Sequence, residues 1–226
     1  MSQLYLENVN YSYRTKHQTV HAVRNVNLCL DRGKMYALVG KSGCGKTTLL
    51  SLIAGLEKPD SGRILVGERD LSEIDLDEYR RTVVSVIYQS YNLFPLLNII
   101  ENVMFPLLLN GMTKPEATEK AKEMLQKVDL NEMYHRRLPH MLSGGEQQRV
   151  SIARALGTGA ELILADEPTG NLDAENSRQV VEILKKMVSD EGRTVLVVTH
   201  DMSVADVADR VFTMSSGQIV SELPSL

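Results

Sequence analysis

The stretch Gly40-Lys-Ser-Gly-Cys-Gly-Lys-Thr-Thr48 carries the clearest chemistry in the chain. Gly40, Gly45, Lys46 and Thr47 occupy the fixed positions of G-x-x-x-x-G-K-[ST]. Tyr36, Ala37, Leu38 and Val39 precede it as a strand, and Leu49, Leu50, Leu52, Ile53 and Leu56 follow at helical spacing. Strand, glycine loop and helix is the context in which this spacing reads as a P-loop. Glycines let successive backbone N–H groups converge on one anion, and the helix N-terminus adds partial positive charge there. Lys46 is expected to reach the β- and γ-phosphates of a nucleoside triphosphate, and the Thr47 hydroxyl to ligate Mg²⁺.

Three further polar groups stand directly after apolar runs. Asp166 and Glu167 follow Leu162-Ile-Leu-Ala165, His200 follows Val195-Leu-Val-Val-Thr199, and Gln89 follows a strand read over 83–88. Ligands of an open α/β sheet bind beyond the carboxyl ends of its strands, so these groups and the glycine loop are expected to meet in one crevice. Asp166 then holds the metal with Thr47. Glu167, one residue further, points elsewhere and is the candidate base for an attacking water; capping of the next element is the alternative for both carboxylates. Gln89 reads as a neutral metal ligand or water-positioner. His17, His21, His135 and His140 lie in polar or loop-like stretches and are treated as background.

Leu142-Ser-Gly-Gly-Glu-Gln-Gln-Arg149 places a serine and two glycines at a helix start, with Ser143 and Glu146 in capping-box register. It reads either as an ordinary capped helix or as a second anion site. The latter need not face the same molecule's P-loop and invites a site shared between two chains.

The positioning elements follow from period and punctuation. The first thirty residues read as strands, with Val26, Leu28 and Leu30 on one face and Asn25, Asn27 and Cys29 on the other, broken by a polar loop at 14–19. Residues 72–82 and 203–210 read as helices, and 211–214 and 218–221 as strands. From 89 to 158 helix signals dominate, including a capping box at Thr113–Glu116. The unbroken apolar runs at 162–165 and 195–198 suit parallel strands covered on both faces. The expectation is one α/β domain over 1–226: a β subdomain with the P-loop part of the core (1–88), a helical insertion (89–158) and the rest of the core (159–226).

The net charge of -4 argues against a nucleic-acid partner. Two cysteines, one inside the P-loop, do not form a disulfide framework and suit a reducing compartment. The most apolar region, 93–109, is interrupted by Pro95, Asn98, Glu101, Asn102 and Pro106. It falls short of the roughly 18 apolar residues of a membrane span, so any span is expected from another polypeptide. No signal peptide is apparent.

Taken together the motifs resemble those of an ATP-binding cassette (ABC) ATPase over the whole length. GKSGCGKTT matches the family's Walker A motif, LSGGEQQR its signature and LILADE its Walker B with the glutamate. PTGNLD, ending at Asp173, is similar to the D-loop, Gln89 to the Q-loop glutamine and His200 to the switch histidine. Tyr13 falls where the family places an aromatic that stacks on adenine, with Tyr11 as the competitor. YQSYNLFPLLNIIENVMFPLLLNG and ADEPTGNLD look like the macrolide-exporter and lipoprotein-releasing (MacB/LolD-like) branch. Cys44 in place of serine, Glu146 in place of glutamine, and Ser90, Tyr91 and Asn98 depart from that pattern.

The resemblance implies a P-loop NTPase fold with a RecA-like core, an N-terminal antiparallel β subdomain and an inserted α-helical subdomain. It implies ATP and Mg²⁺ as cofactors and nucleotide contacts from Tyr13, Gly40, Lys41, Ser42, Gly43, Cys44, Gly45, Lys46, Thr47 and Thr48. Metal contacts come from Thr47, Gln89 and Asp166, and catalytic roles fall to Glu167, His200 and Lys46. It also implies a head-to-tail dimer, with itself or a homologous subunit, in which Ser143, Gly144, Gly145 and Glu146 meet the partner's ATP. The cassette would then drive an integral-membrane permease, with or without a periplasmic or extracellular accessory protein, from the cytoplasmic side of the cell membrane. Apolar Tyr91, Leu93, Phe94 and Leu96 are the expected permease contact, internal packing being the alternative. A non-transport ABC ATPase acting on a membrane complex, such as cell-division machinery, is the second reading.

Overall fold

A computed structural model describes residues 2–224. Two long strands, β1 (Ser2–Arg14) and β2 (Thr19–Asp31), form an antiparallel hairpin. Val26, Leu28 and Leu30 are buried along β2 while Asn25, Asn27 and Cys29 face solvent, as a strand with period-2 polarity requires. With β4 (Ser61–Val66) and the short β5 (Arg69–Asp70) they make a four-stranded sheet in the order β2-β1-β4-β5.

The second sheet has six strands in the order β10-β9-β3-β8-β7-β6. β3 (Met35–Val39), β6 (Val84–Ile87), β7 (Leu162–Asp166), β8 (Thr194–Thr199) and β9 (Arg210–Ser215) run parallel, and β10 (Gln218–Pro224) pairs antiparallel to β9. Alternate residues of β7 enter different cores. Leu162 and Leu164 pack with the hairpin and α1 (Lys46–Ile53), whereas Ile163 and Ala165 pack with the helical side. Burial on both faces is why the run is continuously apolar.

Helix α2 (Leu76–Thr82) precedes β6. Between β6 and β7 lie α3 (Ile99–Leu109), α4 (Lys114–Lys127) and α5 (Gly144–Gly157), which pack on one another as a helical insert. Capping boxes start α3 at Asn98 and α5 at Ser143, and at Thr113 the Glu116 carboxylate accepts from the N–H that precedes α4. Helix α6 (Ala174–Ser189) lies between β7 and β8, and α7 (Met202–Ala205) between β8 and β9.

Three elements differ from the sequence expectation. The 72–82 helix is divided into a 3₁₀ turn at 71–73 and α2, because the Asp75 carboxylate accepts from the N–H groups of Asp77 and Glu78 and starts a new helix. The 203–210 helix is a single turn, α7. Beyond it Asp209 donates its N–H to Met35 O at 2.7 Å and accepts the Met35 N–H on its carboxylate at 2.7 Å, which ties the chain to β3. The 83–88 strand pairs only over Val84–Ile87, so Gln89 stands two residues past its end.

Candidate functional site

The P-loop forms between β3 and α1 because glycine is required at its tightest points. Gly45 has φ +108°, and a Cβ there would collide with Ala22 O; one on Gly40 would collide with Met214 O. Gly45 is also the N-cap of α1 and offers no side chain to the helix, so the first N–H groups stay open for an anion. Lys46 is buried, and its Nζ donates to Gly40 O at 2.8 Å and Lys41 O at 3.3 Å. The ammonium is thus folded back on its own loop.

The strand ends converge as their positions predict. Thr47 donates its hydroxyl to Asp166 Oδ1 at 3.1 Å. Burial raises the Asp166 carboxyl above its ordinary range, the Thr47 bond opposes that, and the neighbouring Glu167 charge reinforces it. Glu167 has φ +48° and its N–H is donated to Val198 O at 2.8 Å. Its side chain therefore leaves the strand in a different direction from Asp166. Glu167 Oε2 accepts from His200 N–H at 3.3 Å and lies 2.9 Å from His200 Nδ1. As acceptor, the carboxylate selects the tautomer with the proton on Nδ1. Gln89 Nε2 donates to Asn171 Oδ1 at 3.3 Å, and Asn171 Nδ2 donates to Gln89 O at 3.4 Å.

Tyr13, Lys46, Thr47, Gln89, Glu167 and His200 line one crevice of about 720 Å³. Tyr13 is 45 % exposed and its hydroxyl lies 3.2 Å from Thr48 Oγ1. Tyr11 stands edge-on to it, ring centroids 5.1 Å apart, and donates its hydroxyl to Glu57 at 3.0 Å. Of the two tyrosines only Tyr13 lines the crevice. A second concavity of about 750 Å³, between α2 and Arg32, contains none of the motif residues.

The 143–146 segment is not part of that crevice. Ser143 is exposed at the start of α5, where its Oγ accepts from Glu146 N–H at 3.3 Å and Glu146 Oε2 accepts from Ser143 N–H at 2.7 Å. Burial alone would raise the Glu146 carboxyl, but the Ser143 bonds, Tyr134 and Arg149 bring it below its usual value. Glu146 is therefore committed to capping. Asp173 caps α6 and is held low by the Asn176 N–H. Gly144 and Gly145 are close-approach glycines: a Cβ on Gly144 would stand 2.8 Å from Tyr91 Oη, and one on Gly145 would strike the Asn176 carboxamide.

Four neighbours of these groups carry no role in the sequence reading. Asn171 meets Gln89, and Asn176 meets Gly145, through tertiary packing. His21, set aside as background, lines the crevice while bonded to Ser12. Arg154 donates to Tyr91 O and Asn92 O at 3.0 and 2.7 Å, holding two non-glycine residues with φ of +60° and +48°.

Among known sequences, the profile of the ABC transporter family matches residues 23–170. The chain belongs to this family. The cassette is 38% identical over 223 residues to the uncharacterized ABC transporter ATP-binding protein MJ0796 of Methanocaldococcus jannaschii, covering 96% of this chain and 95% of that one. It is 43% identical over 224 residues to the macrolide export ATP-binding/permease protein MacB 2 of Yersinia pestis, covering 98% of this chain and 33% of that one. The cassette thus spans about a third of that relative. Its fold superposes on the dimeric post-hydrolysis structure of MJ0796 bound to ADP and Pi with a TM-score of 0.91, 36% identity and 98% coverage of both chains. The cassette is an ATP hydrolase with the P-loop NTPase fold: a RecA-like core, an antiparallel β subdomain and a helical insert.

Proposed function

We propose that the cassette works as a head-to-tail dimer that closes around two ATP molecules and reopens on hydrolysis, driving a membrane permease of the MacB-like export type. One observation carries this reading. The P-loop crevice gathers Tyr13, Ser42 to Thr48, Gln89, Glu167 and His200, with Asp166 bonded to its Thr47, whereas Ser143, Gly144 and Gly145 lie outside it at another helix start, exposed, half-covered and buried in turn. A site with its second anion-binding helix end elsewhere becomes complete when a partner supplies it.

Lys46 exchanges its loop carbonyls for phosphate oxygens, and the α1 N–H groups hold the same anion. Tyr13 offers a ring face to the adenine. Among the described residues there is no cluster of three or more His, Cys, Asp or Glu that could hold a metal. Thr47 and Asp166 nevertheless present two hard oxygen donors in mutual contact, which suits Mg²⁺ completed by phosphate oxygens and water, with Gln89 nearby. Mg²⁺, when bound, neutralises charge on the transferring phosphate. Glu167 accepts the proton of the attacking water, and His200 keeps the carboxylate aimed.

Dimer closure is tested with Glu167→Gln, which slows reopening. With ATP this variant is expected to elute as a dimer in size-exclusion chromatography. Adding Ser143→Arg is expected to leave it monomeric with unchanged single-chain nucleotide binding. A double variant that still dimerises would remove Ser143 from the seam.

The permease reading draws on Leu96, 88 % exposed, and on Phe94, Phe105 and Leu109, which border a groove of about 350 Å³ beside Arg154. Among the described residues no helix is long and apolar enough to cross a membrane, so a permease would hold the cassette at the cytoplasmic face, with or without an external accessory protein. Leu96→Asp is expected to reduce recovery of a permease from detergent-solubilised membranes while ATPase activity of the free cassette stays unchanged. Equal recovery would place the contact elsewhere.

A further inference from the structure

Asn176 sits at the third position of α6, outside every motif, yet it joins two of them. Its backbone N–H and its Nδ2 donate to the two carboxylate oxygens of Asp173, each at 2.8 Å. Its Oδ1 accepts from Arg149 Nη1 at 3.3 Å, and the same Nη1 reaches Gln179 Oε1 at 2.6 Å. Arg149 is 9 % exposed and its Nε has no partner, so its guanidinium relies on these two acceptors. The side chain also packs directly against Gly145: its Oδ1, Cγ and Cβ are the three atoms that a Cβ on Gly145 would meet first.

Only glycine fits beneath Asn176, which gives Gly145 a steric reason independent of phosphate binding. The single amide therefore sets the distance between the Asp173 loop and the start of α5. Both segments belong to the surface expected to meet a second chain. A buried cation and a carboxylate bridged by one amide form a connected network whose members depend on one another.

We infer that Asn176 is a positioning residue for the shared ATP site. It locks Asp173 and Ser143–Gly145 of one chain into a single rigid edge, so that both reach the partner's nucleotide together. This rests on the shared-site reading above. It predicts that loss of the amide leaves nucleotide binding within one chain untouched and weakens the ATP-driven association of two.

The test uses Glu167→Gln as the reference. Three quantities are read: affinity of dilute single chains for a fluorescent ATP analogue, the ATP concentration giving half-maximal dimer, and melting temperature. Asn176→Ala in that background is expected to keep the first and raise the second about tenfold, in line with loss of hydrogen bonds to charged groups. In the otherwise wild-type chain, kcat is expected to fall with KM little changed.

Asn176→Asp separates positioning from filling. It keeps the volume over Gly145 and the acceptor for Arg149, but sets a carboxylate against Asp173. It is expected to be worse than Asn176→Ala, whereas a mere filler role makes it milder. An unchanged dimer midpoint in Asn176→Ala, or a milder Asp variant, overturns the inference. If the Glu167→Gln reference itself stays monomeric with ATP, the shared-site reading falls and takes this inference with it.

Discussion

Glu167→Gln is expected to lower turnover by about 10²–10⁴-fold, the range a positioned general base contributes, with ATP affinity unchanged. The geometry isolates the effect. Glutamine keeps the volume of glutamate, and its amide oxygen can still accept from His200 N–H, the contact made at 3.3 Å in the native chain. The crevice should therefore keep its shape, and Lys46, Thr47 and Asp166 their places. What is lost is basicity at the position that faces the nucleotide crevice. Single-turnover phosphate release measured beside equilibrium ATP binding separates the two quantities. Turnover within a few-fold of the native rate would move the base to another residue.

Lys46→Ala is expected to act at the earlier step, weakening ATP binding itself by about a hundredfold, the scale set by charge-assisted hydrogen bonds. Lys46 is 7 % exposed, and its two bonds to Gly40 O and Lys41 O tie the ammonium to its own loop. In the proposed reading, binding is an exchange in which phosphate oxygens replace carbonyls around one ammonium. Alanine removes both partners' donor and leaves α1 alone to attract the anion. Isothermal titration with ATP reads the loss directly; native affinity would reject the assignment of the loop. Lys46→Arg is expected to be no rescue, because a planar guanidinium does not fit a cradle built for a compact ammonium.

What could be read from the sequence was what neighbours in sequence decide. The P-loop, the apolar runs of β7 and β8, the capping boxes and the alternation in β2 are local patterns, and each stands where its residues placed it. The meeting of Thr47 with Asp166, 119 residues apart, was also legible, because parallel strands bring their carboxyl ends to one edge. The rest depended on partners far along the chain. Tyr11 and Tyr13 are two residues apart on one strand face, and Glu57 is what distinguishes them. Beyond α7 the chain is tied to β3 through Asp209 and Met35, a pairing that residues 203–210 alone do not reveal. The roles of Tyr91 and Asn176 come from packing on two glycines whose own spacing says nothing of what covers them.

The backbone of Glu167 has a consequence beyond its own residue. A left-handed torsion at a residue with a Cβ costs about 1–2 kcal/mol, and glycine or asparagine would sit there with less strain. The cost divides two chemically identical groups. Asp166 and Glu167 are consecutive carboxylates, yet one turns to a hydroxyl on α1 and the other to an imidazole after β8. One torsion angle is a fork in the chain, sending the carboxylate proposed to grip the metal down one branch and the proposed base down the other. Straightening it would return Glu167 to the pleat, where alternate residues face opposite sides of the sheet, and would take its carboxylate out of the crevice.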